Sequence, residues 1–216
     1  MAGGQGKTAQ VGVASAREAA SAAMRERILE TADRLFYRQG IRAIGVDTVA
    51  AETGISKRTL YNYFPSKDAL VVAYLERRFA PLPESDRPPA EQILDAYDRV
   101  GKLFDVGALR GCPFVNAVTE LADPTHEAAR IAIAFKERRR VWFRDLLRAA
   151  KAKDADGLAS QLQVLLDGAI IQMLVRNDAA MAAVARKAAE TLLVAAGVKP
   201  GAKPPSASAS RSSLRR

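Results

Sequence analysis

The residues best suited to recognising a partner lie in one run, Val46–Lys67 (VDTVAAETGISKRTLYNYFPSK). Lys57 and Arg58 can donate to guanine O6 and N7, and Asn62 can pair with adenine N6 and N7. Thr59, Tyr61 and Tyr63 carry hydroxyls suited to phosphate oxygens, contacts that position a protein without reading sequence. Lys67 opens a predicted helix, where its charge and the free N–H groups of the helix end both favour a phosphate. Thr48, on the short segment before, is a further candidate. This is the chemistry of double-stranded DNA recognition rather than of catalysis. The chain has no glycine-rich phosphate loop, no GxSxG and no HExxH, and its carboxylates are scattered rather than paired. One cysteine and one histidine exclude a multi-cysteine zinc site and a histidine-rich metal site. No enzyme activity, cofactor or metal is expected.

These side chains need elements to present them. Val46, Val49 and Ala50 give a small apolar face to a short helix predicted over 46–53. Gly54 allows positive φ in a tight turn, Ile55 plugs that turn, and Ser56 is a good N-cap. A second short helix follows over 57–63, with Leu60 and Phe64 pointing back to a core. A short helix, a glycine-bearing turn and a second short helix form a helix–turn–helix pattern. Upstream, a helix predicted over 22–39 places Ile28, Leu29, Ala32, Leu35 and Phe36 on one face, and Gly40 ends it. Downstream, a helix over 67–80 runs into a linker marked by Pro81, Pro83, Pro88 and Pro89.

Taken together, the ILETADRLFYRQG helix and the VAAETGISKRTLYNYFPSKDAL segment resemble the DNA-binding domain of the TetR family of bacterial transcriptional regulators, over about Met24–Phe79. The spacing of Gly54, Leu60, Tyr61, Phe64, Lys67 and Leu70 carries the resemblance. It implies a homodimer with a divergent C-terminal domain for ligand binding and dimerisation. It also implies repression by binding a palindromic operator, with release by a small molecule. Two residues depart from the family pattern. Gly45 stands where many members carry Ser or Thr, which weakens the cap of the 46–53 helix. Asp47 stands where some members place a basic residue, and its charge would repel phosphate.

The rest of the chain also reads as helix after helix, giving an all-α protein of about nine helices. Five more are predicted over 90–104, 113–121, 125–152, 158–176 and 179–196, from apolar residues at three- and four-residue spacing. The expected organisation is a DNA-binding domain at 22–80 and an effector-binding and dimerisation domain at 90–198. The resemblance assigns the last two helices to the dimer interface. Leu162, Leu165, Leu166, Ala169, Ile170, Met173 and Leu174 offer an apolar stripe for it, and Ala182, Ala185, Ala189, Leu192 and Leu193 a close-packing partner surface.

The segment Arg110–Asn116 (RGCPFVN) resembles a GC-x-(Phe/Leu)-x-N element of one subgroup of the family, some members of which respond to electrophiles through the cysteine. A thiol-based repressor acting through Cys112 is therefore the alternative reading, beside a packing role for a small buried thiol. Phe104, Cys112, Phe114, Asn116 and Trp142 are the candidate effector contacts. His126 is read as a surface or capping residue. The KERRR run (Lys136–Arg140) spans more than one helix face. It is most simply a solvated surface with Trp142 turned inward, although one arginine could reach an anionic effector.

Composition fits this picture. The 216 residues are 49% hydrophobic and 26% charged, a soluble globular balance. The net charge of +9 sits in the flanks: residues 81–198 carry sixteen basic and sixteen acidic residues, whereas 199–216 carry five basic residues and no acid. No continuous apolar run reaches the ~18–20 residues of a membrane helix, and the N-terminus lacks an apolar signal core. A cytoplasmic protein that does not engage a membrane is expected, with disordered basic tails at 1–21 and 199–216.

Overall fold

A computed structural model describes residues 5–199 and Gly201. Its described residues form nine α-helices and no strand: α1 Gln5–Gln39, α2 Val46–Thr53, α3 Lys57–Tyr63, α4 Lys67–Arg78, α5 Pro89–Asp105, α6 Pro113–Leu121, α7 Glu127–Ala149, α8 Ala155–Arg176 and α9 Ala180–Ala195. They pack as two compact units. One holds the chain up to Ala80 with Pro113–Ile133, and the other holds Pro81–Cys112 with the chain from Ala134 onward. The helix containing Phe114 and Asn116 therefore packs with the N-terminal helices, whereas a linear division had placed it in the C-terminal domain.

In the first unit the five predicted α1 residues, Ile28, Leu29, Ala32, Leu35 and Phe36, are all buried, joined by Leu60, Phe64, Leu70, Val71 and Tyr74. Phe36 and Tyr74 meet edge to face with ring centroids 5.7 Å apart, a geometry favoured by the ring quadrupoles. Arg78 fastens α4 to α1. Its Nε and Nη2 donate to the two carboxylate oxygens of Asp33 at 2.6 and 2.8 Å, and its guanidinium lies 4.0 Å from the Tyr37 ring centroid. Phe114 of α6 packs edge-on to Phe79, and Glu120 accepts the Arg42 backbone N–H at 3.0 Å.

The long start of α1 departs from the expected tail. Helix continues back to Gln5, so residues 5–21 are helical rather than disordered. The described side chains from Ala16 to Ala22 are exposed. Alanine, arginine, glutamate and glutamine have high helix propensity, and extending a helix already nucleated on a core requires no new nucleus. Residues 1–4, 200 and 202–216 lie outside the described residues, so the disorder expected for 199–216 falls almost wholly outside them.

The second unit is built on α5, α8 and α9. Ile93, Leu94 and Tyr97 pack with Phe143, Leu147, Leu162, Leu166, Ala189 and Leu193. The buried Tyr97 hydroxyl donates to the Leu162 carbonyl at 2.8 Å, which satisfies a polar atom that would otherwise be costly to bury. Gly101 marks a close approach of α5 to α9, since a Cβ there would sit 3.1 Å from the Ala182 Cβ.

The proposed dimer stripe divides. Leu162, Leu166, Ala169, Ile170 and Met173 are buried in the chain's own core, as are Ala182, Ala185, Ala189 and Leu193. The apolar residues left in solvent are Val164 at 72%, Ile171 at 52% and Val175 at 77% exposure on α8, with Leu174 and, on α9, Val184 and Val194. A helix that is apolar all round carries two contact faces, and periodicity alone does not rank them. For the same reason α8 is long and apolar enough to cross a membrane by length and composition, although part of its surface is core.

Replacing Gly101 by Val should wedge α5 away from α9. Urea unfolding is expected to show a loss of ~1–3 kcal/mol, the usual cost of overpacking a tight contact. A stability equal to wild type would mean that α5 and α9 do not meet at this point.

Candidate nucleic-acid interface

The turn between α2 and α3 is made by backbone geometry that few residues adopt. Gly54 has φ 75° and ψ 34°. Its N–H donates to the Ala51 carbonyl and the Ile55 N–H to the Ala50 carbonyl, both at 3.0 Å, the paired bonds of a Schellman cap. The Ser56 Oγ then accepts the Thr59 N–H at 3.0 Å, capping α3. Gly45, by contrast, gives α2 no side-chain cap, as its identity implied. Leu60 is fully buried and Phe64 nearly so, which anchors one face of α3 and turns the other outward. Arg25 of α1 lies 4.8 Å from the Phe64 ring centroid, and Arg27 donates to the Thr53 carbonyl at 3.0 Å. Both arginines support the motif from behind, a role with no marker in the motif's own sequence.

On the outward face, Thr48, Lys57, Arg58, Tyr61 and Asn62 are exposed, and Thr59, Tyr63 and Lys67 are half-buried. The eight candidate contacts thus lie on three consecutive helices of one unit. The Thr59 hydroxyl is shared with Ser56 Oγ at 2.8 Å, so part of its capacity serves the cap. Ser66 caps α4 through the Ala69 N–H at 3.0 Å, which leaves the Lys67 ammonium in the first turn of that helix. Among the described residues neither Arg58 nor Lys67 makes an ion pair, whereas Arg34, Arg77 and Arg78 pair with Glu52, Glu26 and Asp33.

Lys57 is different. Its ammonium donates to Asp47 Oδ2 at 3.0 Å across the two short helices. The hydrogen bond and charge of Asp47 raise the Lys57 pKa above its ordinary value, which keeps the side chain cationic. Asp47, expected to repel phosphate, is thus engaged with the candidate contact Lys57. An exposed pair of this kind adds little to stability.

The candidate effector contacts are distributed between the units. Phe114 and Asn116 belong to the first; Phe104, Cys112 and Trp142 belong to the second. Phe104 packs on the small cluster of Ile170, Met173 and Ala182. Cys112 is a half-buried free thiol. Trp142 lines a groove of about 340 Å³ whose other walls are largely charged. His126 caps the start of α7, accepting the Ala128 N–H on Nδ1 at 3.0 Å. Part of the KERRR run is not the solvated surface expected of it. Arg139 is half-buried, its guanidinium 4.8 Å from the Phe135 ring centroid, and Lys136 is ion-paired to Asp167.

A short helix, a glycine turn and a capped seven-residue helix with basic and polar side chains outward, carried on an all-helical chain, have the geometry of a helix–turn–helix DNA-binding regulator. Residues 28–74 match the model of the bacterial regulatory proteins of the tetR family. A solved TetR-type transcriptional regulator of Streptomyces avermitilis is 36% identical, with a TM-score of 0.74 over 81% of this chain and 98% of that one. A TetR-family regulator of Streptomyces coelicolor is 27% identical, with a TM-score of 0.73 over 80% of this chain and 95% of that one. The transcriptional repressor NemR of Escherichia coli is 29% identical over 108 residues, 46% of this chain and 54% of its own length. The chain belongs to the TetR family. It is a ligand-responsive, dimeric DNA-binding regulator and not an enzyme, and its dimer forms through the C-terminal helices.

Replacing Asp47 by Asn should free Lys57 and remove a negative charge from the DNA-facing surface. Operator affinity is expected to rise about 3–10-fold at low salt, read by fluorescence anisotropy. A weaker complex would show instead that Asp47 itself accepts a hydrogen bond from a base.

Proposed function

We propose that this protein is a homodimeric repressor that binds a palindromic operator and leaves it when a small molecule occupies the C-terminal helices. The observation that carries the reading is the outward face of α3. Lys57, Arg58, Tyr61 and Asn62 stand exposed on a helix whose other face is anchored by Leu60 and Phe64. A twofold dimer would present two such helices to successive major grooves, so a palindrome mirrors the protein's symmetry. Arg58, Asn62 and Lys57 would read base edges, and Thr48, Thr59, Tyr61, Tyr63 and Lys67 would hold the phosphate backbone. Release requires only that the ligand bind more tightly to a dimer whose recognition helices no longer match the groove spacing. Repression, rather than activation, is supported by the match to NemR, a transcriptional repressor.

A second reading places the signal on Cys112, whose free thiol is half-buried and in electrostatic contact with Arg139. In that case an electrophile would release operator from wild type and not from Cys112→Ser.

The test is binding to DNA flanking the protein's own gene. Lys57→Ala and Tyr61→Phe should each weaken the complex. Lys67→Ala should weaken it evenly across sequences and reduce the slope of log affinity against log salt by about 1, the value for one lost phosphate contact. Unchanged affinity in all three variants would remove α3 and α4 from the interface.

A further inference from the structure

Three glycines stand inside α5 and α8: Gly101 on the first, Gly157 and Gly168 on the second. Glycine is the poorest helix former after proline, so each calls for a physical reason. Two of them have one within the protomer. A Cβ on Gly101 would sit 3.1 Å from the Ala182 Cβ, and a Cβ on Gly157 would collide with the Asp154 carboxylate that caps the helix. Gly168 has none among the described residues. A Cβ there would meet nothing within 4 Å, and its φ lies outside the left-handed region. Neither the packing nor the backbone of the single chain asks for glycine at this point.

Gly168 lies in the middle of the uncovered side of α8. Val164 stands four residues before it, and Ile171 and Val175 stand three and seven residues after it. This is the spacing of one helix face, and all three side chains are exposed. The face carries no charge. Between Gly157 and Val175 the one ionisable residue is Asp167, and its carboxylate is taken by the Lys136 ammonium and by Gln163 Nε2. An apolar helix side left in water marks a contact surface, and the core of an interface is depleted of charge. The pattern also reads nearly alike in both directions from Gly168, with Val164 on one side and Ile171 on the other. That is the property a surface needs to meet a second copy of itself across a twofold axis.

Resting on the dimerisation through the C-terminal helices described above, we propose that α8 crosses its own copy at Gly168, with the twofold axis passing beside that residue. The distance between two packed helices is set by the side chains at their contact. A glycine that meets itself therefore lets the two backbones approach closely. Val164 of one protomer then packs against Ile171 of the partner subunit, and symmetry supplies the same contact a second time. Gly168 is thus retained for the assembled molecule, at the expense of the helix that carries it.

The test uses the full-length chain with Cys112→Ser and one new cysteine at a time: Gln161→Cys, Val164→Cys, Gly168→Cys, Ile171→Cys or Val175→Cys. A disulfide needs Cα atoms about 4.4–6.8 Å apart, which across a twofold axis is met by a residue beside the axis. Under mild oxidation with diamide, Gly168→Cys is expected to form the covalent dimer fastest. Gln161→Cys and Val175→Cys, each about 10 Å along the helix from the axis, should not link. Independently, Gly168→Leu in the native chain should raise the dimer dissociation constant at least about tenfold by sedimentation, the scale of overpacking a tight contact. Leucine is the better helix former and the site is open on the protomer, so helix content by circular dichroism should not fall. Fastest crosslinking at another position, equal crosslinking at 164, 168, 171 and 175, or a Gly168→Leu dimer as tight as wild type would overturn the proposal. A wild type that stays monomeric at every concentration would defeat the C-terminal dimer itself, and the crossing with it. A wild-type dimer that crosslinks elsewhere would defeat the crossing alone.

Discussion

A helix of seven residues does not hold its shape in water, because isolated helices shorter than about 12–15 residues are marginal. Everything that α3 offers to DNA depends on that constraint being met from outside. Gly54 turns the chain, Ser56 accepts the Thr59 N–H, Leu60 and Phe64 are buried, and Arg25 of α1 lies over the Phe64 ring. The clamp of Arg78 on Asp33 and Tyr37 keeps α4 against α1, which steadies the helix that carries Arg25. The exposed side chains of α3 are spared structural work, which lets them be chosen for recognition. Lys57 is the exception, since it shares its charge with Asp47.

Much of this was legible from residue types. The bounds of α2, α3 and α6 agree with expectation because local chemistry marks their ends: Gly54 and Ser56 around the turn, Pro113 at the start of α6. The start of α8 was placed late because its cap, Asp154, sits in a charged Ala/Gly stretch without apolar period; Asp154 Oδ1 accepts the Gly157 N–H. The start of α1 was misread because an Ala/Ser/Gln-rich segment can be a poor core former and still a good helix former. In the bundle, legibility fails for another reason. Whether Leu162 or Val164 faces the core depends on where α5 and α9 lie, and neighbouring residues on α8 do not state it.

The Lys136–Arg140 run shows the same limit from the polar side. Five consecutive charged residues wrap a helix, so some must turn inward whenever the helix is packed on two sides. Which ones do so is decided by Gln163 and Asp167 on the facing helix, about thirty residues away in sequence. Within this run Arg140 pairs with Glu137 and Asp156, whereas the buried Arg139 Nη1 has no hydrogen-bond partner among the described residues.

The two-faced character of α8 has a consequence for how this protein behaves as a population of molecules. Val164, Ile171 and Val175 lie in water on a single chain, and a partner that covers them binds only folded protomers. Its contribution therefore grows with protomer concentration by mass action, and the chain has no single intrinsic stability that dilution leaves untouched. Twofold symmetry sharpens this further. Any side chain that enters an isologous interface occurs in it twice, so one codon change alters both halves of the contact.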